Sequence, residues 1–322
     1  AQAFAGLVAR LCGWRLDDRL EPSQERGPEP AGVAELVRKH RLAPLAYRAG
    51  YSEFKVDFAK SAIFADMRAR YLNEIWLVFF EYSIEFCLLK GVSYVTSIYL
   101  DPGERPMGDI DLLVREKDMS QAVDALKEAG FVLRPDKRAH LARTHHAVTL
   151  DRAPVSVDLH RSMVQPWRSA IKLGEVWRRM RVVSPGVYRL ELIDEIVFHL
   201  THIARHELLA GPLAYVDLAR LLRQPGVSRQ AVLARADEFR LGRAARVVLE
   251  RGDVLAEGKY SVALERERRQ ILPTPAEILL DQPMSRGRQV AAKALLVEGA
   301  RELVGLGAVA AYERWPLNWR LK

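Results

Sequence analysis

Residues 107–114, MGDIDLLV, place aspartates at two alternate positions of an otherwise apolar segment. Successive side chains of a β-strand point to opposite faces, so Asp109 and Asp111 share one face while Ile110 and Leu112 turn toward the core. Two neighbouring carboxylates repel each other, and a bound cation offsets that repulsion. Such oxygen ligands favour Mg²⁺ (or Mn²⁺). The segment therefore predicts a strand with a metal-binding face; the alternative is a solvated strand edge on which two acids alternate by accident.

Segments with helical spacing lie on both sides of a stretch of short strands. Before residue 85, DFAKSAIFADMRARYLNEIWLVFFEYSIEF indicates one long amphipathic helix. From 86 onward, FCLLKG, DIDLLV, HHAVTLDR and PVSVDLH are typical of strands, with a helix at KDMSQAVDALKEAG. After residue 165 the spacing is helical again, as in LIDEIVFHLTHIARHEL. The sequence predicts an α+β fold with a small mixed-sheet core (86–165) between an N-terminal helical region (1–85) and a C-terminal helical domain (166–322).

Composition places few further limits on the chain. Its 322 residues carry a formal net charge of +8, which favours phosphate-rich or polyanionic partners without choosing among them. The two cysteines match no zinc or disulfide spacing, which favours a reducing compartment. No apolar run reaches membrane-spanning length, and the first residues have neither a basic leader nor a small-residue cleavage site. We expect no membrane contact and, by default, a cytoplasmic protein.

A third carboxylate, Asp158, lies in the alternating segment PVSVDLH, with Ser156 and His160 on the same face. Carboxylates that converge from two adjacent strands can hold two metal ions, which clamp the attacking and leaving oxygens of a phosphoryl displacement. Asp158 is thus a candidate catalytic residue and His160 a candidate cleft residue. The alternative for Asp158 is an exposed strand position.

The segment LLKG, residues 88–91, ends an apolar strand at a glycine where VSYVTSIYL can start a helix. Such a junction presents free backbone N–H groups and the positive end of a helix, which suits a triphosphate. Lys90 adjoins Gly91, and Ser93 lies in the first turn. Arg105, in the loop before the two aspartates, is placed to reach the β- or γ-phosphate. The alternative is an ordinary strand-to-helix connection.

The order LLKG, an arginine-containing loop, GDIDLLV, HH and VDLH resembles the bacterial nucleotidyltransferases related to the polymerase-β superfamily. It is closest to the subgroup often labelled uncharacterised nucleotidyltransferases. The resemblance implies that Gly91 binds the triphosphate and that Asp109, Asp111 and Asp158 bind the metals. The superfamily usually has Gly-Ser or Gly-Gly at the turn. Here the turn reads GV, which removes the usual hydroxyl and leaves Ser93 as its substitute.

The resemblance also implies an activity. We expect a metal-dependent enzyme that moves a nucleoside monophosphate from a nucleoside triphosphate such as ATP to a hydroxyl-type acceptor, releasing pyrophosphate. The acceptor is open among a small molecule, a peptide and a protein, with RNA less favoured. The alternative is a catalytically silent module that binds nucleotide, RNA or a partner protein. The preferred base and the oligomeric state stay open.

Two groups of histidines are further candidates. The resemblance places His145 and His146 near the active-site sheet, where one of them contacts phosphate or the acceptor; the alternative is a packed or solvated pair. His199, His202 and His206 fall on one face of a predicted helix. That face indicates either a zinc site or, as we favour, packing against the catalytic sheet with some of the rings lining the cleft.

Overall fold

The structure is a computed structural model that describes residues 2–13, 31–135, 147–163, 171–206, 208–257, 272–273, 275–280 and 284–296. Within these residues one sheet is formed by the strands β1 (Phe86–Leu88), β2 (Ile110–Val114), β3 (Val132–Leu133), β4 (Ala147–Arg152), β5 (Val155–His160), β6 (Arg181–Ser184) and β7 (Val187–Arg189).

The α-helices of the described residues lie before, between and after the strands. They are α1 (Gln2–Gly13), α2 (Ala31–Lys39), α3 (Ala43–Arg48), α4 (Lys55–Glu81), α5 (Lys90–Tyr94), α6 (Met119–Glu128), α7 (Leu173–Arg179), α8 (Leu192–Arg205), α9 (Pro212–Leu222), α10 (Arg229–Glu238), α11 (Gly242–Glu257), α12 (Pro275–Leu280) and α13 (Arg286–Leu295). The long helix predicted before the first strand is α4, which runs without interruption for 27 residues.

The sheet is mixed and runs in the order β3-β4-β5-β2-β1-β7-β6. Strand β2 pairs in parallel with β5, and β1 pairs in parallel with β7. The other neighbouring strands are antiparallel. The predicted α+β class, with a mixed sheet between helical regions, is confirmed.

Strands β6 and β7 were missed by the sequence analysis, which predicts only helix after residue 165. β6 exposes the side chains of Arg181, Val182 and Val183 in succession, so it lacks the alternation that marks a half-buried strand. β7 has only three residues. Neither segment is long or periodic enough to be recognised, although β7 completes the sheet beside β1.

The two faces of the sheet are covered differently. Helices α4 and α6 cover one face, where Ile110, Leu112 and Val114 of β2 are buried. On the opposite face Leu113 belongs to a larger core that includes residues of α1, α8, α9 and α11. Because side chains alternate along a strand, Asp111 lies on this second face. The helices therefore surround a strand that presents a carboxylate between apolar positions.

The larger core contains residues from all three of the predicted regions, among them Phe4, Leu113 and Leu296. The division of the chain into three regions at residues 85 and 165 stays a prediction. Side chains from all three regions pack in this one core. Among the described helices, none combines the length and the apolar character that a membrane crossing requires.

Candidate active site

Asp111 and Asp158 face each other across the parallel pair formed by β2 and β5, as register partners. Asp111, Asp158 and His160, which is also on β5, can each offer one ligand atom to a metal ion. These three atoms lie within 4.8 Å of one another. A carboxylate–carboxylate–imidazole group of this size is suited to a divalent cation. The period-two pattern of the two strands brings these side chains to the same face, as the sequence predicts.

Asp111 is buried and holds two hydrogen bonds on one oxygen. Lys90 Nζ donates to Asp111 Oδ1, and His160 Nε2 lies 2.9 Å from the same atom. Burial alone would raise the pKa of Asp111, but the hydrogen bond from His160 and the charge of Lys90 outweigh it and hold the pKa below its usual range. The Asp111 carboxylate is therefore ionised in the folded protein.

Asp158 is oriented by a neighbour on β4. Thr149 is its register partner, and the Thr149 hydroxyl donates to Asp158 Oδ1 at 2.6 Å. Neither Asp111 nor Asp158 has a hydrogen bond to its second oxygen, Oδ2, from the described residues. Each carboxylate thus has one oxygen fixed by the protein and one available to a ligand.

Asp109 lies immediately before β2 and is partly exposed. The compact group of Asp111, Asp158 and His160 does not include it. Burial raises the pKa of Asp109, and the nearby charges of Asp111 and Asp158 add to that effect. Asp109 therefore stands beside the group as a carboxylate whose charge is disfavoured without a cation.

The junction after β1 differs in detail from the predicted strand–glycine–helix turn. Leu89 precedes the first helical turn, and α5 begins at Lys90. Lys90, not Gly91, has the positive φ, at 49°. Gly91 is needed for another reason: a Cβ there would lie 2.5 Å from Arg105 Nη1 and 3.0 Å from Met107 Cγ. The glycine allows the Arg105 guanidinium to approach the backbone of the turn.

Arg105 is already paired in this structure. Its Nε and Nη2 donate to both carboxylate oxygens of Asp217 in α9, at 2.7–3.1 Å. Asp217 is fully buried and also accepts from the Tyr99 hydroxyl. The pair uses Nε and Nη2, so Nη1, which lies against Gly91, is the part of the guanidinium left for a phosphate. The arginine that the sequence assigns to the phosphates is thus tied to the C-terminal helices.

Ser93 is similarly engaged. Its side chain is fully buried, and its hydroxyl donates to Glu195 Oε1 of α8. Burial raises the pKa of Glu195 to about 7, although the hydrogen bond from Ser93 acts in the opposite direction. Ser93 therefore lacks the exposure that a phosphate contact needs, and it stands in for the missing turn hydroxyl only if it leaves Glu195.

The predicted histidines divide into three outcomes. His160 joins the carboxylates, as described. His145 and His146 lie outside the described residues. On α8, His199 is buried between the Tyr94 hydroxyl (3.0 Å) and the Ala214 carbonyl oxygen (2.7 Å).

His202 follows His199 on the same face of α8, and its pKa is lowered by burial and then by the charge of Lys90. Lys90 is therefore within electrostatic range of His202, and a role of this ring in lining the cleft stays a prediction. The candidate metal-ligand group found in the described residues contains no histidine of α8. The zinc alternative for this face stays a hypothesis.

Three residues near the carboxylates escaped the sequence analysis. Thr149 is fixed opposite Asp158 by the tight connection between β4 and β5, so the hairpin register was the signal that could have found it. Arg41 lies against Gly108, and Arg68 is within electrostatic range of Asp109. Both arginines belong to the N-terminal region, and no local pattern connects them with β2.

Comparison with protein families provides independent information on the chain. The model of a family described as uncharacterised nucleotidyltransferase matches residues 28–251, more than half of the sequence. A search of curated proteins gave no significant match. The family match spans the sheet, the carboxylates and α4, and it confirms the resemblance at the level of the family. The chain belongs to the uncharacterised nucleotidyltransferase family.

Proposed function

We propose that this protein is a metal-dependent nucleotidyltransferase that moves a nucleoside monophosphate from a nucleoside triphosphate to a hydroxyl acceptor, with release of pyrophosphate. The observation that carries the proposal is the group formed by Asp111, Asp158 and His160 on two paired strands. The family of the chain supports the reaction class. A place in the wider polymerase-β superfamily is part of the same proposal.

The residues of the group fit a divalent cation, for which we propose Mg²⁺ or Mn²⁺. Asp111 and Asp158 would hold it through the carboxylate oxygens that accept no hydrogen bond from the described residues. Asp109, whose charge is disfavoured by burial and then by Asp111, would complete the ligand set. When bound, such an ion polarises phosphoryl oxygens and offsets the charge that develops on them.

Lys90 and Gly91 are the proposed contacts to the nucleotide. The Lys90 ammonium lies at Asp111 Oδ1 and is partly exposed, so it can move to a phosphate when a cation takes over the carboxylate. Gly91 lets the Arg105 guanidinium lie against the turn, so a phosphate bound there would meet both the backbone and this arginine. Ser93 is hydrogen-bonded to Glu195, and Arg105 is hydrogen-bonded to Asp217. We propose that these two contacts position the turn.

Asp158 is the proposed proton acceptor for the attacking hydroxyl. The Thr149 hydroxyl holds one of its oxygens, which leaves the other oriented for the acceptor or a metal. The acceptor itself belongs to a broad class: a small molecule, a peptide or a protein side chain with a hydroxyl group.

The first test measures nucleotide binding by thermal shift. ATP, GTP, CTP and UTP are compared with and without Mg²⁺ on wild type, Asp111→Asn and Asp66→Asn, the last being an exposed acid of α4. Ligand at a hundredfold over its Kd stabilises the native state by roughly 2.7 kcal/mol, which is readily measured. We expect one or more triphosphates to stabilise wild type and Asp66→Asn only with Mg²⁺, and Asp111→Asn to lose the effect.

The second test measures transfer. The triphosphate that binds is labelled at the α-phosphate and incubated with candidate hydroxyl acceptors, and release of pyrophosphate is followed in parallel. Release that depends on Mg²⁺ and on Asp158 supports transferase activity. Full activity in the Asp109→Asn and Asp158→Asn proteins would overturn the assignment of these carboxylates.

One observation favours a second candidate function, a silent nucleotide-binding module. Lys90 already neutralises Asp111, and the Arg105 guanidinium covers the turn glycine. A site that already contains the positive side chains of Lys90 and Arg105 is compatible with nucleotide binding that does not lead to turnover. Mg²⁺-dependent binding of a triphosphate with no release of pyrophosphate in the presence of any acceptor would favour this candidate.

A further inference from the structure

Two arginines of the N-terminal region lie beside the start of β2. Arg41 follows α2, and Arg68 lies in α4. A Cβ placed on Gly108 would lie 3.5 Å from Arg41 Nη1, so this guanidinium is packed against the residue before Asp109. Arg68 is within electrostatic range of both Asp109 and Arg41. The two positive groups therefore approach the candidate site from the side of the N-terminal helices.

Arg68 is incompletely satisfied in the folded protein. Its Nη1 donates to the carbonyl oxygen of Phe64 at 3.2 Å. Its Nε is buried and has no hydrogen-bond partner among the described residues. A buried N–H of a charged group that lacks an acceptor is unfavourable, so a bound acceptor would stabilise this arrangement.

Among the described residues neither arginine is held in an ion pair, although Asp109 attracts Arg68 at longer range. Nearby arginines are paired: Arg38 with Asp57 at 3.2 Å, and Arg105 with Asp217 at 2.7 Å. In the described part of the chain, neither Arg41 nor Arg68 has a carboxylate within the 4.0 Å of an ion pair. Their mutual repulsion and the burial of Arg68 favour an anion between or in front of them. The planar guanidinium matches phosphate and carboxylate groups.

We propose that Arg41 and Arg68 form an anion-binding subsite beside Asp109 that holds a phosphate or carboxylate group of a substrate. The subsite rests on the proposed function for its role in transfer. It uses different residues from the turn at Gly91, which lies against Arg105 and Met107. The anion has two sources of the same chemistry: the terminal phosphates of the donor nucleotide, or an acidic group on the acceptor.

The test uses Arg41→Gln, Arg68→Gln and the double variant, with a matched control for each single substitution. Arg70→Gln changes an exposed arginine of the same helix, which pairs with Asp66. Arg240→Gln changes an arginine that, like Arg41, has a positive φ after a helix. Affinity for inorganic pyrophosphate without Mg²⁺, and for the stabilising nucleoside triphosphate and its monophosphate with Mg²⁺, is measured by titration calorimetry on the full chain.

We expect pyrophosphate to bind wild type and both controls, and to bind each test variant about tenfold more weakly. If triphosphate affinity falls by the same factor while monophosphate affinity is unchanged, the subsite holds the donor's terminal phosphates. If triphosphate affinity is unchanged while pyrophosphate affinity falls, the subsite serves an acidic acceptor.

The proposal is overturned if wild type does not bind pyrophosphate, or if the test variants bind it as tightly as the controls. Arg41 is exposed, so we expect Arg41→Gln to fold. This variant therefore tests the proposal even if Arg68→Gln fails to fold. Failure of the proposed function is a different result: wild type would then bind pyrophosphate through the two arginines while Mg²⁺ and Asp111 have no effect on triphosphate affinity.

Discussion

Arg105 and Asp217 form a bidentate ion pair across 112 residues of sequence, which joins the loop before β2 to α9. Asp217 is fully buried and the Arg105 side chain is only 13% exposed. The pair thereby links the loop before β2, the strand that carries Asp111, to the C-terminal helices.

We expect Asp217→Asn to lower the free energy of unfolding by about 3–5 kcal/mol, because it leaves the buried Arg105 charge uncompensated. Urea denaturation measures the change. Asp253→Asn is the control, since Asp253 pairs with Arg229 on the surface and its loss changes stability by at most about 1 kcal/mol. Equal effects of the two substitutions would contradict a structural role for the buried pair.

The acids Asp109 and Asp111 should respond in opposite directions to the same substitution. In metal-free buffer near pH 7 we expect Asp109→Asn to stabilise the protein, because burial and then Asp111 disfavour the Asp109 charge. Asp111→Asn should destabilise it by at least about 1 kcal/mol, because Lys90 and His160 lose a charged acceptor. Thermal melting with EDTA distinguishes the two, and both variants should lose transfer activity. Shifts of the same sign would contradict the charge balance described for the site.

Glu195 makes stability depend on pH. Its pKa is raised from 4.5 to about 7 by burial. Below pH 4.5 the carboxyl is protonated in both states; as pH rises toward 7 the unfolded chain releases the proton while the folded chain keeps it, so the free energy of unfolding falls. Glu195→Gln should therefore gain stability relative to wild type between pH 4.5 and 7, by up to roughly 3 kcal/mol. Parallel unfolding curves for the two proteins across this range would disprove the pKa shift.

Thr149 is a positioning residue for Asp158. We expect Thr149→Val to lower kcat about tenfold with little change in the affinity for triphosphate, because only the orientation of the Asp158 carboxylate is lost. Thr149→Ser keeps a hydroxyl and should restore most of the rate. A fall in nucleotide affinity that matches the fall in kcat would indicate a general loss of structure at the site.

Local sequence patterns predict the strands β2 and β5 and the long helix α4. The alternation in GDIDLLV and VSVDLH predicts which side chains of each strand share a face. The register that pairs Asp111 with Asp158 comes from the structure. The long periodicity of α4 is predicted for the same reason. These features depend on residues a few positions apart, so one sequence is enough to find them.

Contacts between distant segments were beyond the sequence. The sequence predicts phosphate contacts for Arg105 and Ser93 because both lie near Gly91. In the structure Arg105 is hydrogen-bonded to Asp217, and Ser93 is hydrogen-bonded to Glu195. The spacing of apolar residues in a sequence does not indicate which helix will pack against which loop. Strand β7 was missed for a related reason: three residues derive their strand conformation from pairing with β1.

The parallel pairing of β1 with β7 limits how far residues 86–165, which carry the candidate site, can be treated as a portable module. Without residues 187–189, the strand that leads into Lys90 would become an open edge with unsatisfied backbone groups. Cys87, within the same strand, belongs to the core that contains residues of the C-terminal helices, and a fragment that ends at residue 165 would lack them. Evolution could therefore exchange the loops around this site more easily than it could transplant residues 86–165 into another protein.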